Sequence, residues 1–237
     1  MIRLDIHVHS KYSYDSISEP EDIVKIAKIK GLQGLAITDH NTIKGGLETK
    51  KFEDNNFIVI IGSEIATTDG EIIGLFLNRE IPGNLSMRKT LEEIHEQGGL
   101  AIIPHPFDTV RKHAVKFIEK KTLELINGIE TLNARSKSVI NENAQDFANK
   151  SRTKKFAGSD AHTLIEIGRA GIIVNTLSTA ENHIKQAIIN NQFTLYQKYV
   201  PKIIYKPFDL VGKQLKKKKI KSELSFRILN TMQYFFI

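Results

Sequence analysis

Metal-ligand side chains recur in six short clusters over the first 162 residues of the chain. Each cluster falls where a predicted β-strand gives way to a loop. Imidazole nitrogens and carboxylate oxygens are ordinary ligands of divalent metals, and the carboxyl ends of barrel strands share one mouth. The pattern therefore predicts a metal site built from several strand ends. The clusters are His7-Val8-His9, Asp15, Thr38-Asp39-His40, Gly62-Ser63-Glu64, Pro104-His105-Pro106 and Gly158-Ser159-Asp160-Ala161-His162.

The spacing within the clusters favours ligands over unrelated polar residues. His7 and His9 lie two apart on one predicted strand, so both side chains point to the same face. Asp160 and His162 have the same spacing. Glu64 comes two residues after the apolar run Ile58–Gly62, where a carboxylate is costly to bury unless it is paired or metal-bound. One such feature would indicate little, but all of them in one chain predict a shared site.

The composition limits the metal chemistry and the cellular setting. The chain has no cysteine, which excludes thiolate ligands and disulfide bonds. A bound metal must then be held by nitrogen and oxygen, which suits Zn, Mn or Fe. The first residues are too soon charged for a signal peptide, and no apolar run approaches the roughly 20 residues of a membrane-spanning helix. We therefore expect a cytoplasmic protein.

Strand-like and helix-like segments alternate along residues 1–199. This alternation favours a parallel sheet, and a count of about seven or eight βα units favours closure into a barrel. We predict an α/β fold, a distorted TIM-like (β/α)7 barrel with the metal cluster at the C-terminal mouth of its strands. An open doubly wound sheet usually has a Gly-rich loop where this chain has His7-Val8-His9. One helix is expected over Val115–Ile126, and the strand Phe57–Ile61 is expected to end before Glu64.

The charge is unevenly distributed and divides the chain into two predicted parts. Residues 1–199 carry 25 Lys+Arg and 25 Asp+Glu, whereas residues 200–237 carry 9 and 2, so the net charge of +7 lies in the tail. We predict a barrel domain over residues 1–199 and a basic, apolar C-terminal tail over residues 200–237. Three roles are open for this tail: packing on the barrel or a second subunit, contact with RNA or DNA, and peripheral contact with a membrane surface.

The clusters and their surroundings resemble the PHP (polymerase and histidinol phosphatase) family of metal-dependent phosphoesterases. The resemblance covers residues 1–198 and is strongest with the short stand-alone members. It implies a distorted barrel with two or three divalent metal ions, Zn, Mn or Fe, at its mouth. The matching stretches are Asp5–Asp15, Thr38–Asn41, Gly62–Thr67, Ile103–Asp108, Gly128–Arg135 and Gly158–Arg169.

The resemblance implies a role for each cluster. His7, His9 and Asp160 would hold one metal. Glu64 would bridge to a second metal, which His105 would help to hold. These roles make His7, His9, Glu64 and Asp160 the implied catalytic set. The implied metal ligands in full are His7, His9, Asp15, His40, Glu64, His105, Asp160 and His162, with Asp15, His40 and His162 on a third metal.

One strand departs from the pattern of many family members. They supply a further histidine to the second metal from the strand predicted here over Gly128–Leu132. This chain has Glu130 and Asn133 at that place, as short members often do. The resemblance therefore implies fewer ligands for the second metal than for the first.

The implied function is hydrolysis of a phosphomonoester or nucleotide by attack of a metal-bound hydroxide. Arg111, Arg135 and Arg169 follow predicted strands and could bind the substrate phosphate, or could form salt bridges with Asp108 or Glu166 instead. The same metals would also serve an amidohydrolase, or a 5′–3′ exonuclease or exoribonuclease acting on single-stranded nucleic acid. A non-catalytic metal-binding module is the remaining alternative. The expected partner is thus a phosphorylated small molecule or nucleotide, with nucleic acid as the alternative through the tail.

Overall fold

The chain folds as strands and helices that alternate around one sheet. The computed structural model describes residues 1–198, 202–217 and 223–236. The strands are β1 (Ile2–Val8), β2 (Gly34–Ile37), β3 (Ile58–Thr67), β4 (Gly70–Leu75), β5 (Leu100–Ile103), β6 (Gly128–Asn133), β7 (Lys155–Gly158), β8 (Ala170–Val174) and β9 (Phe193–Gln197). The helices are α1 (Pro20–Ile29), α2 (Lys44–Lys50), α3 (Met87–Glu96), α4 (Lys120–Leu123), α5 (Ser138–Ser151), α6 (Glu181–Ile189), α7 (Lys202–Lys217) and α8 (Glu223–Gln233).

The sheet curls into a nearly closed barrel. Its strand order is β7-β6-β5-β4-β3-β2-β1-β8-β9. The end of β7 returns to β1, where Ala161 bridges Val8 and the His9 N–H donates to the Ala161 carbonyl at 2.9 Å. The prediction of a distorted TIM-like α/β barrel is confirmed. The sheet is mixed rather than all parallel, because β4 runs antiparallel to both β3 and β5 and β8 runs antiparallel to β1 and β9.

Strands β1 to β8 are buried along nearly their whole length. All four residues of β2 are buried, and so are six of the seven in β1. Strands covered on both faces need continuous apolar sequence, which Gly34-Leu35-Ala36-Ile37 supplies. Outside the barrel, α1 buries Ile23, Ile26 and Ala27 at helical spacing. This packing fixes the strand ends that carry the predicted ligands.

Two predicted elements are corrected. Only Lys120–Leu123 is helical within the segment where a helix was predicted over Val115–Ile126. Val115 and Ile118 are buried in the core before that helix begins, and the Phe107 N–H donates to the Val115 carbonyl at 2.8 Å. Tertiary packing has therefore replaced the helix. Glu64 lies inside β3 rather than after a strand, because β3 continues past its parallel partner into a hairpin with β4.

The described part of the tail packs on the barrel. Phe208 of α7 and Leu229 of α8 form a small apolar cluster with Ile17 and Ile165. The Gln233 side chain accepts a hydrogen bond from the Leu164 N–H at 2.8 Å. Residues 218–222, which include three lysines of the basic C-terminal tail, lie outside the described residues. None of the helices in the described ranges is long and apolar enough to cross a membrane. The boundary at residue 199 stays a prediction.

Candidate metal centre

All eight predicted ligands converge at one end of the barrel, and the topology explains why. His7 is the next-to-last residue of β1, His9 directly follows this strand, and the parallel neighbour β2 ends three residues before His40. Because parallel strands present their carboxyl ends at the same edge, residues distant in sequence become neighbours. Glu64 comes from β3, His105 follows β5, and Asp160 and His162 follow β7, while Asp15 lies in the loop after β1.

The ligand atoms form four overlapping groups, in each of which one atom per residue lies within 4.8 Å of every other. His9 joins the group that the resemblance assigned to a third metal. His7, His9, Glu64 and His105 each belong to two groups, and of these only the Glu64 carboxylate, with two oxygens, is suited to binding two neighbouring ions. The groups are His9, Asp15, His40 and His162; His7, His105 and Asp160; His7, His9 and Glu64; and Glu64, Glu71 and His105.

His7 of β1 and His9, which directly follows β1, are held by hydrogen bonds on their outer ring nitrogens. His7 Nδ1 lies 3.1 Å from Glu130 Oε1, and His9 Nδ1 lies 3.1 Å from Ser13 Oγ. Since a carboxylate can only accept, His7 Nδ1 is the donor and its Nε2 is turned toward the centre. Both Nε2 atoms lie 3.4 Å from Glu64 Oε2.

The donor atoms at the centre fit divalent metal ions. His7 Nε2, His9 Nε2, Asp160 Oδ1 and Asp15 Oδ1 are buried without a hydrogen-bond partner in the described structure. Buried polar atoms are normally paired, so a set of unpaired atoms that face one another is the arrangement a cation would satisfy. The mixed imidazole and carboxylate set suits Zn, Mn or Fe.

Glu71 was not among the predicted ligands, yet it joins Glu64 and His105 in one group. Burial and the nearby Glu64 carboxylate raise the pKa of Glu71 to about 8. Two buried carboxylates this close favour a shared cation or proton. A sequence signal for Glu71 exists: Asp69-Gly70 indicates a tight hairpin, and Glu71 pairs with Ala66 on the face that carries Glu64.

Glu130 occupies the place where many family members supply a histidine. Its Oε1 holds His7, and its Oε2 accepts the His105 N–H at 2.9 Å and the Asn133 side-chain amide at 2.8 Å. Asn133 also lies 3.2 Å from Asp160 Oδ2. The two residues therefore act in this structure as supports of ligands on three strands.

Two ligands have left-handed backbones. His105 has φ of 30° and Asp160 has φ of 56°, in a region that non-glycine residues rarely adopt. Such conformations cost energy and persist where surrounding contacts impose them, often at functional sites. Here Glu130 accepts the His105 N–H, and the Asp160 side chain is fully buried among the histidines.

The mouth opens into a cavity of about 470 Å³. Arg111 and Arg135 line it, as do the ligands Asp15, His40 and His162. Arg111 donates to Asp160 and lies 3.4 Å from Asp108.

The other two predicted arginines are placed differently from each other. Arg135 contacts Asp209 at 3.1 Å and Glu166 at 3.6 Å while still reaching the cavity. Arg169 is buried beside Glu166, at 4.0 Å, and is not part of the cavity wall. Its predicted phosphate contact stays a prediction.

The cavity wall also includes residues that the sequence did not indicate. Tyr14 stacks on the His40 ring at a centroid distance of 4.6 Å and is largely exposed. Lys206 and Lys213 reach the cavity from α7. No local sequence pattern places a C-terminal helix over the mouth of a barrel, because that contact is made across the whole length of the chain.

The sequence matches the family model described as PHP domain over residues 5–214. The chain belongs to the PHP family. Over 154 residues it is 47% identical to an uncharacterised protein of Methanocaldococcus jannaschii. This alignment covers 60% of this chain and 88% of that protein. A second protein of the same organism is 38% identical over 182 residues, 75% of this chain and 72% of that protein.

Solved structures of other proteins share the fold. A two-domain protein of Bacteroides vulgatus containing a predicted PHP-like metal-dependent phosphoesterase aligns with a TM-score of 0.71 and 19% identity, over 83% of this chain. The chain spans 65% of that protein, slightly less than two thirds of its length. A lesion-specific endonuclease of Pyrococcus furiosus aligns with a TM-score of 0.55 and 17% identity, over 78% of this chain and 56% of that one.

Proposed function

We propose that this protein is a metal-dependent phosphoesterase that hydrolyses a phosphomonoester or nucleotide. The observation that carries the proposal is the convergence of eight metal-ligand side chains beneath a cavity whose wall includes Arg111 and Arg135. Family membership and the Bacteroides vulgatus neighbour support the same reaction class. Two or three ions of Zn, Mn or Fe are the proposed cofactors.

The proposed ligand roles are those that the family resemblance implies, and the close approach of His7 Nε2 and His9 Nε2 to Asp160 Oδ1, at 3.6 and 3.4 Å, supports them. Divalent metals, when bound, lower the pKa of water and stabilise the charge that develops on phosphate oxygens. His7, His9 and Asp160 would hold one ion and Glu64 would bridge to the next. Their complete burial keeps bulk water from the ligands, which strengthens electrostatic interactions at the site.

The arginines supply charge for the substrate. A guanidinium has five N–H donors, and the contacts of Arg111 with Asp108 and Asp160 leave others for a phosphate oxygen. Arg135 likewise has N–H donors left for a substrate, because Asp209 and Glu166 take only part of its five. Arg111, in contact with Asp160, would offset the charge of the phosphate as the ester bond breaks, and Arg135 would help to orient the substrate.

Exonuclease or exoribonuclease activity on single-stranded nucleic acid is the second candidate. The rim of the cavity favours it, because several cations there could follow a phosphodiester backbone. The endonuclease neighbour shows that the fold also hosts nucleic-acid chemistry. The cations that line the cavity are Arg111, Lys112, Arg135, Lys137, Lys206 and Lys213.

Product analysis distinguishes these candidates. Mn-loaded protein is incubated with a simple phosphomonoester, a nucleoside bisphosphate and a short 5′-labelled RNA, with Asp160→Ala as the control. Phosphate release from the small substrates supports the phosphoesterase, and stepwise release of mononucleotides supports the nuclease. Asp160→Ala should abolish either reaction and lower the metal content. A wild-type protein that binds metal but cleaves none of the substrates would favour the non-catalytic module.

A further inference from the structure

Helix α7 forms part of the wall of the catalytic cavity. Lys206 and Lys213 line the cavity together with the ligands Asp15, His40 and His162. The helix is fixed there by Phe208, which packs with Ile17 and Ile165, and by Lys216, which donates to the Ser13 carbonyl at 3.0 Å in the loop before Asp15. The catalytic mouth and the C-terminal helix are therefore one structural unit.

A buried carboxylate gathers three cations on this wall. Asp209 is 2% exposed, and its oxygens lie 3.1 Å from Arg135, 3.2 Å from Lys206 and 3.3 Å from Lys213. We name these four residues the Asp209 cluster. Burial opposes ionisation of Asp209, but Arg135 and Lys213 lower its pKa below the usual range. The carboxylate is thus ionised, and with three cations around it the cluster carries an excess of two positive charges.

The helix geometry directs these charges toward the cavity. Residues 206, 209 and 213 follow each other at intervals of three and four, so they share one face of α7. Arg135 reaches the cluster from the loop after β6, with its side chain 11% exposed. Lys206 and Lys213 are 51% and 40% exposed, so they stand at the rim while Arg135 stands deeper. The cluster runs from the wall near the metal ligands to the edge of the mouth.

Glu166 does not neutralise the excess. It lies 3.6 Å from Arg135 and 4.0 Å from Arg169, so its single charge is shared with a further cation. An excess of partly exposed cations beside a phosphoesterase centre attracts anions, and charge-assisted contacts to phosphate are among the stronger hydrogen bonds in proteins.

We propose that the Asp209 cluster binds a second phosphate group of the substrate, one that is not hydrolysed at the metal ligands, and that Lys206 and Lys213 thereby determine specificity. The inference rests on the proposed function, which supplies the first phosphate. Arg111, in contact with Asp160, is the cation nearest the ligands and serves the scissile group. The second phosphate is either another substituent of a mononucleotide or the next phosphodiester of an oligonucleotide.

Steady-state kinetics of the metal-loaded double variant Lys206→Ala/Lys213→Ala test the proposal. The substrates are a phosphomonoester with one phosphate, a nucleoside 3′,5′-bisphosphate and a 5′-phosphorylated trinucleotide. Relative to wild type, KM for a substrate with a second phosphate should rise about tenfold more than KM for the simple monoester. The substrate whose KM increases in this way identifies the source of the second phosphate. An equal change in KM for all three substrates would overturn the proposal.

The control is Lys217→Ala, which removes an exposed lysine of the same helix that does not line the cavity. It should leave all three KM values unchanged, and circular dichroism and metal content should match wild type in both variants. A calorimetric titration with the nucleoside bisphosphate separates this inference from the proposed function. If wild type binds it without hydrolysis, the proposed function fails, and the cluster is supported only if the double variant binds about tenfold more weakly than Lys217→Ala.

Discussion

Glu130 organises the metal centre without being among the predicted ligands. One oxygen holds the outer nitrogen of His7, and the other accepts the His105 N–H at the end of a different strand. Metal-bound imidazoles depend on such partners, which fix the ring and increase its basicity. A single carboxylate in β6 thus aligns two ligands whose Cα atoms belong to separate parts of the chain.

Replacing Glu130 by Gln should weaken metal binding by roughly 10- to 100-fold, the usual cost of losing such a partner. The amide keeps the size of the side chain but makes one of the two acceptors a donor that faces His7 Nδ1 or the His105 N–H. Calorimetric titration of the metal-free protein with Mn²⁺ measures the change. Glu142→Gln, on the exposed face of α5, is the control. Equal affinity in the two variants would contradict the assignment.

Glu71→Gln should have opposite effects on the metal-free and the metal-loaded protein. The pKa of Glu71 is raised from 4.5 to about 8, so in the metal-free protein its ionisation opposes folding as the pH rises through this range. The neutral amide removes that cost, and the metal-free variant should be more stable than wild type at pH 8. The loaded variant should contain less metal. Mass spectrometry of metal content and urea unfolding at pH 5 and 8 provide the two measurements, and a variant with unchanged metal content would exclude Glu71 as a ligand.

At the scale of elements, the predicted strand ends located most of the ligands. The antiparallel strand pairing that places Glu71 was not predicted. His7, His9, Asp160 and His162 were identifiable because they form two pairs, each with a spacing of two and each at the end of a predicted strand. Glu71 was overlooked because its position depends on an antiparallel hairpin within a pattern that otherwise favours parallel strands. Local sequence reports which residues a strand carries, whereas the partner of that strand is decided by the whole sheet.

The helix predicted over Val115–Ile126 failed for a related reason. Val115 and Ile118 have a spacing that fits one face of a helix. In the structure both belong to the irregular segment that follows His105, and both are buried in the core. The backbone there pairs Phe107 with Val115 across that segment. The spacing of apolar residues cannot distinguish a helix from an irregular segment whose apolar side chains pack in the same core.

The approach of β1 and β7 requires a residue without a side chain at Gly158. A Cβ atom there would lie 2.4 Å from His7 Cβ and 2.6 Å from Glu130 Oε1, closer than atoms can approach. Gly158→Ala should therefore destabilise the metal-free protein by about 1–3 kcal/mol, the usual cost of overpacking, and also weaken metal binding. Chemical denaturation measures the first effect. Gly212→Ala is the control, because its Cβ would make only an ordinary contact of 3.4 Å with Ile17; equal losses in both variants would show that the close approach is not the cause.

At the scale of the whole molecule, the barrel gathers buried carboxylates at the end where the imidazoles converge. Glu64, Glu71 and Asp160 are buried at the same end, and ligand atoms that face one another there lack hydrogen-bond partners in the described structure. At the rim the charge has the opposite sign, because α7 brings lysines to the mouth. The molecule therefore has metal-ligand side chains at the bottom of the cavity and cationic side chains above them, which is the arrangement that the proposed phosphate substrate requires.

Removing the metal should lower the stability of the entire barrel, since the ligands come from strands distributed around it. A ligand at 100 times its dissociation constant stabilises the folded state by about 2.7 kcal/mol, which corresponds to roughly 5–10 °C in Tm for a chain of this length. Calorimetric melting of Mn-loaded protein before and after chelation measures the shift. Asp160→Ala should melt at nearly the same temperature under both conditions, because it lacks a ligand at the centre. If wild type were equally insensitive to chelation, the buried carboxylates would have to be held by protons, and the metal assignment on which the proposed chemistry rests would be wrong.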